Sequence, residues 1–304
     1  MFTQICKMPQ KSLKKYVAKK LNETHKKIIN ADGFVYAQGT FPVLLVAHLD
    51  TVHKELPTQF FYDEIQGALS SPQGIGGDDR CGVYMIFKVL EKYNCSVLFC
   101  EDEEIGCVGA EKFIKSNTAK NLEFNYIIEF DRKGSNDAVF YECANNKFEE
   151  FITKEFYKTA YGSFSDISVI APFLKCAAVN LSCGYYNAHT TDEYVVIADM
   201  EDSIEWACKI LARTTEEDKF EYIEDEYRYG FDYLYDDKFS QDYVIEWYDE
   251  ANFGYKQVEI SADSKAEAVG LFLMGHPSLT YDDIYVFQDA DADYVQQDDY
   301  KWHL

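Results

Sequence analysis

The sequence predicts an α/β fold: a three-layer α/β/α sandwich on a mostly parallel mixed sheet, with a small C-terminal α+β appendage. Three observations carry this expectation. Short apolar runs of strand length recur through the first two thirds of the chain, segments of helical periodicity separate them, and composition changes near Thr214. Strands alternating with helices favour a parallel sheet covered on both faces. We therefore expect one domain over residues 1–214 and an accessory segment over 215–304.

The first element is an amphipathic helix over Lys11 to Lys27, with Leu13, Tyr16, Val17 and Leu21 at helical spacing and lysines opposite. Apolar runs at 43–47 (VLLVA), 96–100 (SVLFC), 125–130 (NYIIEF) and 177–181 (AAVNL) read as buried strands. Helical patterns lie at about 79–92, 108–116, 147–157 and 200–213. Beyond Thr214, an acidic, tyrosine-rich stretch precedes a strand-like and then a helix-like segment. Ser264 and Glu267 have capping-box spacing, and Gly275 with Pro277 supplies a stop. DDIYVF reads as a closing strand of a β-α-β unit, and the last dozen residues are polar enough to be loose. There is no internal repeat.

Composition excludes several classes. With 304 residues, 47% of them hydrophobic, the chain can bury a full core. The net charge is −24, and residues 216–304 hold 24 acids against 6 bases. That surface repels phosphates, so no nucleic-acid partner is expected. The acidic end reads as a solvated face, with docking of a protein partner as the alternative. No apolar run reaches membrane-spanning length and the start lacks a signal-peptide stretch, so no membrane association is expected. Nine cysteines in no framework spacing read as reduced thiols, and the protein is expected to be soluble, unprocessed and cytoplasmic. H-E-x-x-H, G-x-S-x-G and Walker patterns are absent. The cluster of Gly74, Gly76 and Gly77 lacks the lysine of a phosphate loop, and is better read as letting the backbone bring an acid to a site.

Acids or histidines follow each predicted strand. His48 and Asp50 end the first, Glu103 and Glu104 follow the second, Asp131 the third, and His189 lies just beyond the fourth. Asp78 and Asp79 open the helix predicted from residue 79. In open α/β sheets the ligand site forms at the carboxyl ends of strands. Imidazole nitrogens and carboxylate oxygens suit zinc, and His48, Asp78, Glu104, Asp131 and His189 could hold two ions sharing one carboxylate. Two divalent ions, three carboxylates and a hydroxide would leave the cluster neutral.

HLD, GGDDRCG, DEEIG, EFDRKG and AHTTDEY, in this order over residues 40–200, resemble the motifs of the co-catalytic zinc peptidases and deacylases. That superfamily includes tripeptidase, carboxypeptidase and deep aminopeptidase branches. The resemblance implies a zinc-exopeptidase-like catalytic domain over 1–214. It also implies that His48 and Asp131 ligate one ion, Glu104 and His189 the other, and Asp78 bridges. Asp50 would orient His48, and Glu103 would be the general base acting on a metal-activated water. The resemblance favours Asp78 over Asp79, which has an alternative role as a cap, and it alone sorts Glu103 from Glu104. The cofactor implied is two Zn²⁺, with Co²⁺ or Mn²⁺ as substitutes.

Only 57 residues separate Asp131 from His189. A lid or dimerisation domain of roughly a hundred residues, a separate domain's size, does not fit there, which makes compact branches the closer analogues. Of the four arginines, Arg80 and Arg132 neighbour the expected ligands. Arg132 is expected to contact a substrate carboxylate or carbonyl, with an internal ion pair as the equal alternative, and Arg80 is the second candidate. Asp166 resembles an acid that precedes the last strand in this superfamily, a structural hydrogen-bonding role being the alternative. The leading expectation is a zinc-dependent hydrolase cleaving an amide bond in short peptides, an amino- or tripeptidase-like exopeptidase. The alternatives are an N-acyl amino acid deacylase with the same metals and a catalytically silent protein binding through its acidic tail.

Overall fold

The four apolar runs become four neighbouring parallel strands. The computed structural model describes residues 1–162, 164–224, 241–249, 254–262, 265–276, 279 and 284–288. The chain divides into two compact units, Met1–Glu226 and Tyr227–Leu304.

In the first unit, strands β1 (Lys27–Ala31), β2 (Phe34–Gln38) and β3 (Phe41–His48) precede the short β4 (Phe61–Asp63) and β5 (Ala68–Ser70). Then come β6 (Cys95–Cys100), β7 (Tyr126–Arg132), β8 (Asp137–Val139), β9 (Lys158–Ala160), β10 (Ala178–Ser182), β11 (Tyr185–Tyr186) and β12 (Tyr194–Val196). The main sheet has the order β1-β2-β6-β3-β7-β10-β8-β9. Its centre, β6-β3-β7-β10, is parallel. The pairs β1/β2, β2/β6 and β8/β10 are antiparallel, which makes the sheet mixed.

The helices are α1 (Phe2–Cys6), α2 (Gln10–Leu21), α3 (Gly77–Leu90), α4 (Val108–Lys115), α5 (Asn146–Thr153), α6 (Asp166–Leu174) and α7 (Ile197–Arg213). Successive residues of a strand point to opposite faces, and the core divides accordingly. Val43, Leu45 and Ala47 join Val97, Phe99 and Ile128 on one face, beneath Leu13 and Val17 of α2, Val83 and Ile86 of α3 and Ile210 of α7. Leu44 and Val46 join Leu98 and Ile127 on the other, beneath Phe113 of α4 and Ile167 and Ile170 of α6. This is the expected three-layer sandwich. Fully burying one such side chain contributes roughly 1.5–3 kcal/mol, so the central strands are the most firmly held part of the sheet.

Several boundaries differ from expectation. The first long helix ends at Leu21 rather than Lys27, because Lys27 already opens β1. The hairpin β1–β2 and helix α6 had no predicted counterpart. The hairpin's Asp32-Gly33 turn, with Gly33 at φ 86°, is a common two-residue connection. In α6, Pro172 obscures the helical pattern, while the Ser165 amide donates to Ser168 Oγ (3.2 Å) at its start.

A second, four-stranded antiparallel sheet has the order β11-β12-β5-β4. Residues just past Thr214 still belong to the first unit, since Phe220 packs on Tyr126, Phe148 and Phe151. In the second unit, β13 (Gln241–Asp249), β14 (Gly254–Ala262) and β15 (Ile284–Gln288) form an antiparallel sheet of order β14-β13-β15, packed with α8 (Lys265–Gly275). The β-α-β expectation thus gains a leading strand, whose Tyr243 and Ile245 are buried in a core with Phe272 of α8. Ser264, Pro277 and the last dozen residues lie outside the described residues.

Candidate active site

The site forms where the parallel strands end. His48 is the last residue of β3, Glu103 and Glu104 follow β6, Asp131 lies near the end of β7, and Asp78 sits in the first turn of α3. His189 occupies the turn between β11 and β12 with φ 65°. The structure brings all seven expected ligand and catalytic residues into one partly buried cluster.

Asp78 is its centre. Its Oδ1 lies 3.0 Å from His48 Nε2 and its Oδ2 3.1 Å from His189 Nε2. Each imidazole nitrogen meets one further carboxylate: Asp131 Oδ1 is 3.4 Å from His48 Nε2, and Glu104 Oε2 is 3.1 Å from His189 Nε2. Two groups of donors therefore share Asp78.

Asp79 also lies close enough to His48 and Asp131 to form a ligand group with them. Both of its oxygens, however, accept main-chain N–H groups, from His48 (3.2 Å) and Gly82 (2.8 Å), and the residue is wholly buried. It acts as a tie between β3 and α3, which leaves Asp78 as the acid facing both histidines.

Asp50 holds the other side of His48. Its Oδ1 meets His48 Nδ1 at 3.1 Å, and its two oxygens accept from the amides of Glu103 and Glu104, each at 3.0 Å. A carboxylate in this position fixes the imidazole tautomer and makes Nε2 the free donor.

Burial pushes Asp131 up to about 7, with the charge of Asp78 adding to it. Burial likewise raises Glu104, and raises Glu103 well above the usual carboxylate range. Burial opposes charging of His189 and His48, yet the surrounding carboxylates lift both, His189 to about 12. Asp78 is lowered despite burial because both histidines donate to it. Glu104 Oε1 is buried without a hydrogen-bond partner. Crowded, buried acids, an orphaned oxygen and two inward imidazole nitrogens fit divalent cations with a preference for mixed nitrogen and oxygen donors.

The arginines divide. Arg80 is 1% exposed and donates to the carbonyls of Leu49 and, at 3.2 Å, Met8. This corrects the expectation of a substrate contact at Arg80: its guanidinium is consumed inside the fold. Arg132 is half-buried, with Nε 3.7 Å from Asp137 Oδ2, the internal pair that was its alternative.

Several supporting residues had weak or no sequence signal. Glu193, the last acid of the AHTTDEY motif, is fully buried, and His53, which offered no recognisable spacing, lies against it. Gly74, at φ 80°, is needed because a Cβ there would sit 2.1 Å from the His53 ring. Asn180 Oδ1 accepts from the Asp131 amide at 2.9 Å, and Ser165 donates to Glu129 beside it. Asp166 is wholly buried and is pushed up to about 6 by burial, which hydrogen bonds from the thiols of Cys100 and Cys107 oppose. These thiol contacts are the structural hydrogen-bonding role considered for it. Behind the site, Lys14 of α2 pairs with Glu101 and Gln10 donates to Asp102 at 2.8 Å. The cysteines, Cys81 and Cys183 included, are all free and buried.

The sequence profile of Peptidase family M28 matches residues 35–176, a stretch that contains His48, Asp78, Glu104 and Asp131. Over that stretch, a little under half of the chain, the sequence is similar to this metallopeptidase family. Among solved structures, the chain is similar to aminopeptidase PepT from Bacillus cereus ATCC 10987 (TM-score 0.56, 14% identity, covering 69% of this chain and 96% of that one). It is also similar to a tripeptidase from Staphylococcus aureus subsp. aureus Mu50 (TM-score 0.55, 14% identity, 70% and 97% covered). The glutaminyl cyclase of Tannerella forsythia has the same fold (TM-score 0.51, 15% identity, 70% and 95% covered). At these identities the likeness is one of fold, and the presence of a cyclase among such structures means that the reaction must be argued from the site. A comparison with curated protein sequences gives no match. Among the described residues, no helix is long and apolar enough to cross a membrane.

Proposed function

We propose that the protein is a zinc exopeptidase acting on short peptides, of the amino- or tripeptidase kind. The observation that carries this reading is the placement of Asp78, one carboxylate oxygen toward each of two histidines, with Glu103 beside the ligand set and outside it. In this reading His48 and Asp131 would hold one zinc ion and His189 and Glu104 a second, and Asp78 would serve both. The chemistry zinc supplies when bound is Lewis acidity toward the scissile carbonyl and toward an attacking water.

The chain's own residues do the rest. Asp50 keeps the proton on His48 Nδ1, so that Nε2 presents its lone pair to the site. Glu103, raised by burial, has a carboxylate basic enough to take a proton from the attacking water and hand it to the nitrogen of the departing amine. Neither residue is needed merely to bind an ion, and retention of both favours an enzyme over a silent binding protein. No observation at the site favours N-acyl amino acids over peptides.

Two measurements test this reading. Elemental analysis of protein prepared without chelator should give about two zinc ions per chain. Glu103→Ala should keep that zinc and lose about 10²- to 10⁴-fold in kcat on a panel of di- and tripeptides, matching the usual contribution of a general base. Full activity in Glu103→Ala would remove it from the mechanism, and turnover of N-acyl amino acids alone would replace the peptidase with a deacylase.

A further inference from the structure

Glu193 lies outside the ligand set, yet it grips the residue at the centre of the site. Its side chain is wholly buried. Oε1 accepts from the Asp78 amide at 2.9 Å, and Oε2 accepts from the Gly76 amide at 2.8 Å and from His53 Nε2 at 2.7 Å. Three donors thus converge on one carboxylate. A carboxylate has lone pairs for all of them, and the Arg80 guanidinium is near enough to feel its charge.

The connectivity gives this grip its meaning. Glu193 stands four residues after His189 in the same connection between β11 and β12, and adjoins β12, which pairs with β5. Asp78 is therefore held twice by one connection: its amide by Glu193, its Oδ2 by His189 at 3.1 Å. His53 follows the β3 end that carries His48 and Asp50, so the same carboxylate also reaches the first histidine's segment. Space is tight around the contact. A Cβ on Gly77 would come within 2.7 Å of Tyr185 Cβ and 3.2 Å of Glu193 Oε1, so glycine here lets the backbone before Asp78 pass close to the carboxylate.

We infer that Glu193, with His53 as its third donor, is the positioning residue that sets Asp78 between the two histidines and so fixes the geometry of the paired metal site. This rests on the zinc reading of that site. Glu193 touches neither the reacting atoms nor a metal in this account; it acts through the Asp78 backbone. In Glu193→Gln, one carboxylate oxygen becomes an NH₂ that faces an N–H donor, and a bond to Asp78 or to Gly76 and His53 is lost.

The test is zinc titration against a chromogenic chelator for the wild type, Glu193→Gln and His53→Gln, with circular dichroism and melting of each metal-stripped protein. Glu193→Gln should weaken zinc binding by about 10- to 100-fold, the usual effect of removing a group that orients a ligand. Its kcat with saturating zinc should fall while KM is kept. His53→Gln, which leaves both amide bonds in place, should give a smaller loss in the same direction. A folded Glu193→Gln whose titration superimposes on the wild type overturns the inference. Should Glu193→Gln fail to fold, His53→Gln decides: weaker zinc binding supports the grip, and an unchanged titration overturns it. Failure of the wild type itself to hold zinc would strike the proposed function, a result distinguishable from either of these.

Discussion

The Glu103 amide donates to Asp50 Oδ1 at 3.0 Å, the same oxygen that meets His48 Nδ1 at 3.1 Å. The residue proposed to orient a ligand therefore also anchors the loop bearing the proposed general base. Asp50→Asn puts an amide where a carboxylate accepts three donors, so it should cost both zinc affinity and kcat, each by about 10- to 100-fold. Chelator competition and steady-state kinetics on one preparation check this. A loss confined to zinc affinity would mean that the Glu103 loop holds its place without Asp50.

Removal of metal should make stability depend on pH in a defined direction. Asp131 is raised to about 7 in the folded chain, above the ordinary value of about 4, so its ionisation favours unfolding as pH rises between those values. His48 and His189 are raised too; the stability they contribute is complete below about 6.5 and is lost as pH rises through their folded values. Both effects have the same sign. Asp78 and Asp50 are lowered, and their contribution is lost only as pH falls below about 4. The metal-stripped protein should thus melt at a higher temperature at pH 5.5 than at pH 8, and zinc should reduce or reverse the difference. A melting temperature that climbs steadily with pH in the stripped protein would contradict this account.

Arg80→Met should cost stability rather than substrate binding. The guanidinium is buried on the Leu49 and Met8 carbonyls, with the charges of Asp50, Asp79 and Glu193 around it. Removing one partner from such an arrangement typically costs about 3–5 kcal/mol. Urea unfolding should reveal that loss, while KM of the remaining folded enzyme stays near the wild-type value.

The thiols should be inert in the native protein. Burial pushes Cys6 and Cys176 up to about 12, and raises Cys81, Cys100, Cys107 and Cys183 as well. The thiolate is the reactive form, so iodoacetamide at pH 8 should label the folded protein slowly and all nine cysteines after denaturation. Rapid modification of one cysteine without unfolding would show that its surroundings open.

How much of this was legible follows from the kind of signal each element carries. The parallel strands announce themselves as unbroken apolar runs because both their faces are buried, as Val43 to Ala47 are. The edge strands do not: β1 is only partly buried, and nothing in KIINA demands a strand. At the site, histidine and acid types placed after predicted strands were visible as a group, since the chemistry needs them there. The division of labour between Asp78 and Asp79 was not, because it depends on where the backbone turns each side chain. Arg80 shows the limit from the other side. Adjacency to a ligand in sequence suggested a substrate contact, and the helix carried the guanidinium into the core instead.

The N-terminal helices lie before the stretch matched by the peptidase family, yet Gln10 and Lys14 of α2 tie down Asp102 and Glu101, immediately before the Glu103–Glu104 pair, and the Met8 carbonyl receives Arg80. The cooperative unit is therefore larger than the segment that the family profile matches. Opening of this lead segment, as native-state hydrogen exchange would register it, should release the loop after β6 and the start of α3 together, coupling local unfolding of two helices to the catalytic competence of a site they do not line.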